Sequence, residues 1–96
     1  MKLPSKRQYP RKLLINDQEY TVKFVRKIPK DKETVGWCDP SEHEICIKTG
    51  QSVSETFATF VHETLHAIEF EYGLKIEHAL VYKLEKAICD FLLVNF

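Results

Sequence analysis

An α+β fold, with a small and mainly antiparallel sheet of three or four strands followed by two helices packed on it, is what this sequence predicts. Three observations carry that expectation. Residues 20–25 and 44–48 alternate between apolar and polar and are rich in β-branched and aromatic types, the period-2 pattern of strands. Beyond residue 50, apolar residues recur every three or four positions in two blocks separated by Gly73, the pattern of two helices. The chain has 96 residues, enough for one hydrophobic core and no second, so residues 1–96 read as a single domain.

Taken in order, residues 1–11 form a basic extended arm containing Pro4 and Pro10. Lys12 to Ile15 is a short apolar run, and Asn16-Asp17-Gln18 supplies turn chemistry before the surest strand, Tyr20 to Val25. Residues 28–33 read as a polar loop. Val35 to Cys38 and Glu44 to Lys48 then form a hairpin around the turn Asp39-Pro40-Ser41-Glu42. The first helix runs from about Ser54 to Gly73. Ser52 and Glu55 make a capping box at its start, and Gly73 suits a left-handed C-terminal cap. Phe57, Val61, Leu65, Ile68 and Tyr72 give that helix one continuous apolar face. A second helix spans about Glu77 to Leu93, with Val81, Leu84, Ile88 and Leu92 as its inward stripe.

Composition bounds the function classes. The chain is 44% apolar and 11% aromatic, as in a folded chain rather than a disordered one. No apolar run approaches the roughly 20 residues of a membrane span, and residues 1–4 start no signal-peptide core. Cys38, Cys46 and Cys89 are odd in number and widely spaced, which argues against a disulfide framework and for a cytoplasmic setting. Net charge is zero, yet residues 1–32 hold ten Lys/Arg against three acids. The cluster Lys2, Lys6, Arg7, Arg11 and Lys12 has the charge to meet nucleic acid or an acidic partner. No recognition motif accompanies it, so a solvated arm is the expectation.

The chemistry centres on His62-Glu63-Thr64-Leu65-His66, an H-E-x-x-H pattern inside the capped helix. Residues four apart stack on one helix face, so His62 and His66 can grip one ion while Glu63 beside them takes a proton from water. A third ligand is required. The extended pattern H-E-x-x-H-x-x-G-x-x-H does not supply it, because Glu69 stands where its Gly should be and Tyr72 where its His should be. The second helix offers Glu77, His78 and Glu85. Glu85 interrupts the apolar stripe, where a lone charge is costly and a metal ion would satisfy it. His78 keeps a claim, since imidazole is an excellent zinc ligand and the turn at Gly73 can bring it back over the site.

The HETLH helix, followed by a second helix whose Glu85 lies 19 positions after His66, resembles the gluzincin metallopeptidases. It is most similar to their smallest members, the minigluzincins, and to short phage- or prophage-encoded H-E-x-x-H proteins with the same element order. The resemblance covers roughly residues 35–95. It implies a zincin-like fold, Zn2+ held by His62, His66 and Glu85, and Glu63 as general base in the hydrolysis of a peptide or protein substrate. It also implies that residues 44–48 form the strand along the substrate cleft, open to β-augmentation by an extended peptide. His78 and Tyr82 are the candidate oxyanion donors. Gluzincins often carry an Asp four residues after the third ligand; this chain has Cys89 there and Asp90 one further on.

Two rival readings stand beside this one. A deformylase-type hydrolase would use an upstream strand cysteine, Cys46, as third ligand, but Glu44-Ile45-Cys46-Ile47 lacks the glycine-rich setting of that chemistry. The other is a zincin scaffold with little turnover, acting as a metal-binding or regulatory interaction module.

Overall fold

The computed structural model describes residues 2–28 and 34–96, so the expected polar loop lies, apart from Ile28, outside the described residues. The elements are β1 (Lys12–Ile15), β2 (Gln18–Val25), β3 (Gly36–Asp39), β4 (Glu44–Lys48), α1 (Val53–Glu71) and α2 (His78–Asn95). The expected α+β order of strands followed by two helices is therefore what the chain adopts.

Local chemistry explains the turns. Asn16 and Asp17 take φ of 49° and 65°, and Ile15 pairs with Gln18, so β1 and β2 close over a two-residue turn with both central residues left-handed. The turn between β3 and β4 is held by Asp39, whose Oδ1 accepts from the backbone N–H groups of Ser41 and Glu42 at 3.1 and 3.3 Å. At the start of α1, Ser52 Oγ accepts from Glu55 N at 3.1 Å while Glu55 Oε1 accepts from Ser52 N at 3.0 Å. Gly73, at φ +64°, ends that helix as expected.

The four strands form one mixed sheet in the order β1-β2-β4-β3. β1–β2 and β3–β4 are antiparallel, and β2–β4 is parallel, with Val22 opposite Ile45 and Phe24 opposite Ile47. This order corrects one expectation. Residues 44–48 cannot take an added peptide strand, because β4 is hydrogen-bonded to β2 on one side and to β3 on the other. The edge strands are β1 and β3, and β3 is the edge next to β4.

α1 lies on the sheet and α2 lies chiefly on α1, giving three layers rather than two helices side by side on the sheet. One core cluster joins Tyr20, Val22, Ile45 and Ile47 of the sheet to Ala67 of α1. A second joins Phe57, Val61 and Leu65 of α1 to Val81 of α2, with Leu84, Ile88 and Leu92 packed against it. The inward stripe of α2 is the expected one. The apolar face of α1 stops at Ile68, since Tyr72 caps the helix and is 56% exposed.

The arm also departs from a fully extended, solvated segment. Lys6–Gln8 form a 3-10 turn, and Tyr9 is buried with its ring 5.5 Å from Phe24 and 5.1 Å from Phe60. A single aromatic among polar residues gives no periodic signal, which is why sequence alone leaves it in solvent. The basic side chains around it remain exposed. No helix among the described residues is long and apolar enough to cross a membrane.

Among the described residues the buried Tyr9 hydroxyl has no hydrogen-bond partner, so the ring stabilises the docked arm while its oxygen opposes it. Tyr9→Phe is expected to raise unfolding free energy by about 1 kcal/mol, whereas Tyr9→Ala lowers it by about 3 kcal/mol. Urea titrations decide this. A Tyr9→Phe chain less stable than wild type means that the hydroxyl is satisfied after all.

Candidate metal centre

His62 and His66 stand one turn apart on α1, and each has its ring fixed from behind by a carboxylate. His62 Nδ1 lies 2.8 Å from Glu85 Oε1, and His66 Nδ1 lies 3.3 Å from Glu69 Oε1. An ionised carboxylate only accepts, so these contacts assign the proton of each ring to Nδ1. With both rings neutral that leaves a lone pair on each Nε2, and the two face each other at 3.1 Å. Two lone pairs at that distance repel unless a metal ion or a proton sits between them. Burial adds to the effect by holding the His62 imidazole below its usual pKa, against the pull of Glu85, which favours the neutral, ligating form.

His78, the first residue of α2, completes the cluster. Its ring centroid is 5.5 Å from that of His62 and 5.4 Å, in a stacked arrangement, from that of His66. One ligand nitrogen from each of the three imidazoles lies within 4.8 Å of the others. Nitrogens on a tetrahedral zinc are about 3.3 Å apart, given Zn–N bonds of about 2.0–2.1 Å. The helical pair is thus already at ligand spacing, and the exposed His78 lies within 4.8 Å of it. The donor set fits a divalent ion that prefers imidazole.

The connection carrying His78 is itself anchored to the cluster. Glu69 Oε2 accepts from the backbone N–H of Ile76 at 2.7 Å while its other oxygen holds His66. That bond keeps the Glu69 carboxyl below its ordinary pKa, with His66 adding to the shift. The residue that breaks the extended H-E-x-x-H pattern thus ties the ends of the loop together. Its only sequence signal is its place three residues after His66, on the same helix face.

Glu63 sits between the cluster and the sheet and is 7% exposed. Burial pushes its carboxyl up to about 7, with the Glu85 carboxylate adding to the shift. A cation in the cluster acts in the opposite direction. β3 presses directly on this side chain. A Cβ at Gly36 would lie 2.7 Å from Glu63 Oε2 and 2.6 Å from Thr59 Cγ2, so only glycine fits. A cleft of about 650 Å³ runs past these groups, with Gly36, Trp37 and Cys38 on one wall and His66, His78 and Tyr82 on the other. A second hollow of about 470 Å³ continues it beyond His62 and Glu63 toward Thr59 and Glu85.

The sequence-derived candidates are therefore placed as follows. His62, Glu63, His66 and His78 converge, and Tyr82 borders them with its ring 4.8 Å from that of His62. Glu85, expected as third ligand, has its carboxylate on the nitrogen of His62 remote from His66, so it stands behind His62 rather than beside the two facing Nε2 atoms. Glu77 is exposed at the N-cap of α2 and outside the histidine cluster. Cys46 offers nothing to the deformylase reading. Ile45 and Ile47 point into the core against α1, so alternation turns Cys46 to the opposite face of the sheet. The basic arm borders a different hollow, against β2.

Comparison with known proteins finds no matching family model, no matching curated protein and no matching solved structure.

Because β3 touches Glu63 with no space to spare, Gly36→Ala is expected to destabilise the fold by about 1–3 kcal/mol. Thr59→Ser in the same chain removes the nearest methyl and recovers part of the loss. Thermal melts of both variants test the contact, and an unchanged melting temperature for Gly36→Ala would remove it.

Proposed function

We propose that this chain is a small zinc-dependent metallopeptidase, with His62, His66 and His78 holding the ion and Glu63 as general base. The observation that carries the reading is the pair of Nε2 atoms facing each other at 3.1 Å, each ring fixed from behind by a carboxylate. Three imidazoles, two of them hydrogen-bonded to a carboxylate through the nitrogen turned away from the cluster, are a donor set that suits zinc. When bound, the ion supplies Lewis-acid chemistry, polarising a carbonyl and making water more acidic.

The protein's own groups do the rest. Glu63 takes the proton from the attacking water and returns it to the leaving amine. Its buried setting against Gly36 fixes where that carboxylate can stand. Glu85 and Glu69 hold the tautomer and the aim of His62 and His66. Tyr82, on the rim of the cleft, is the donor for the developing oxyanion, a role that passes to it once His78 is a ligand. The edge of β3, rather than β4, is the place for an extended peptide to add as a strand along the cleft. Three free thiols agree with a reducing, cytoplasmic setting.

Metal analysis of the purified chain is expected to find about one zinc per molecule. His62→Ala or His66→Ala should abolish it. Glu85→Gln should weaken binding by about 10–100-fold, as expected of a residue behind a ligand, and His78→Ala by more. If Glu85→Ala strips the ion while His78→Ala retains it, the gluzincin ligand set is restored. Glu63→Gln should keep the metal and lower peptide hydrolysis by about 10²–10⁴-fold. A wild type that binds zinc yet cleaves no peptide belongs instead to the class of metal-binding interaction modules.

A further inference from the structure

α2 carries apolar residues on two sides, and the described fold covers only one. Val81, Ile88 and Leu92 turn toward α1. A second row, Leu80, Leu84, Ala87, Phe91 and Val94, recurs in alternating steps of four and three, the spacing of a coiled-coil seam. Leu84 is shared with the core, but Leu80 is 47%, Phe91 58% and Val94 82% exposed. The row lies roughly half a helical turn from His78, Tyr82 and Glu85, on the flank of α2 that faces away from the cleft.

We propose that this row is a homodimer interface, in which α2 of two copies pack antiparallel about a twofold axis. Charge selects both the partner and the direction. Lys83 and Asp90 occupy the outer border of the row, and the inner border is formed by the core residues Val81 and Ile88. In an antiparallel pair, Leu80 meets Phe91 of the second copy and Leu84 meets Ala87 of the second copy. That register sets Lys83 beside Asp90 of the second copy, and the twofold axis repeats the contact. A parallel pair instead sets Lys83 against Ile88 and Asp90 against Asn95, with no opposite charges matched. Among the described residues Asp90 is bonded along its own helix, to Lys86 at 3.0 Å, with both groups well exposed. Such a pair is weak and does not compete with a bridge at an interface. Sizes match as well, with the small Ala87 receiving Leu84 and Phe91 meeting Leu80 as anchors. Because the row faces away from the cleft, the dimer leaves both copies of the histidine cluster open.

Sedimentation equilibrium of the full chain over a range of concentrations tests this. The expected species has twice the 11.3 kDa mass of the chain. Phe91→Glu should sediment at the single-chain mass, with circular dichroism confirming that its helices are retained. The charge pair tests the register independently of packing. Lys83→Glu and Asp90→Lys should each shift the equilibrium toward monomer, and the variant carrying both should return to the dimer. A wild type that is monomeric throughout, a dimer that survives Phe91→Glu, or a double variant less associated than either single one overturns the proposal.

Discussion

Glu69 places one carboxylate oxygen on Nδ1 of His66 and the other on the backbone N–H of Ile76, and through these two contacts it joins the helix that bears two histidines to the loop that delivers the third. Besides it, residues 72–77 are positioned by the turn at Gly73, the Leu74 N–H bond to Glu69 O and the packing of Ile76 on the second core cluster. With it, the aim of an imidazole and the path of the chain are set by the same charged group. The cost is that Glu69 must remain ionised and partly desolvated, which the backbone donor makes tolerable. That double attachment works together with the packing of Val81 against α1 to bring His78 to the H-E-x-x-H helix.

A similar economy governs α1. One side packs Ala67 onto the sheet, another packs Phe57, Val61 and Leu65 onto Val81, and the histidines occupy what remains. Glu63 falls between the sheet side and the histidine side, so its burial follows from the helix's angular layout. β3 can come so close because it presents Gly36 at that point. The placement of a single buried carboxylate therefore depends on a residue 27 positions earlier that has no side chain.

How much of this was legible in the sequence depends on how local each feature is. The capping box, the turn at Asn16-Asp17-Gln18 and the period-2 strands are decided within a few residues, and all were readable, though the left-handed backbone of that turn was not. The ionised group inside the stripe of α2 was rightly read as needing a partner. That partner is the back of His62, because a helical wheel gives the direction of a side chain and not the depth it reaches. The strand along the cleft was misplaced for a different reason. Chain order lists β3 before β4, but the spatial order inserts β4 between β2 and β3, and no local pattern encodes that. Tyr9 and Glu69 went unread because each works through contacts with distant segments, the first across 51 residues to Phe60 and the second through a backbone donor in a loop.

The parallel pairing of β2 with β4 has a consequence for the order in which the chain folds. Each hairpin closes over a short turn, β1 with β2 at Asn16-Asp17 and β3 with β4 at Asp39 to Glu42, and can form early at little entropic cost. The central pair is different, because β2 and β4 meet only after the intervening chain has looped back, making it the contact of high sequence separation that slows folding. α1 touches β1, β3 and β4, so its full platform exists only once the two hairpins have docked. The histidine cluster, built on α1 and completed from α2, therefore stands on a platform that is whole only when both hairpins have docked.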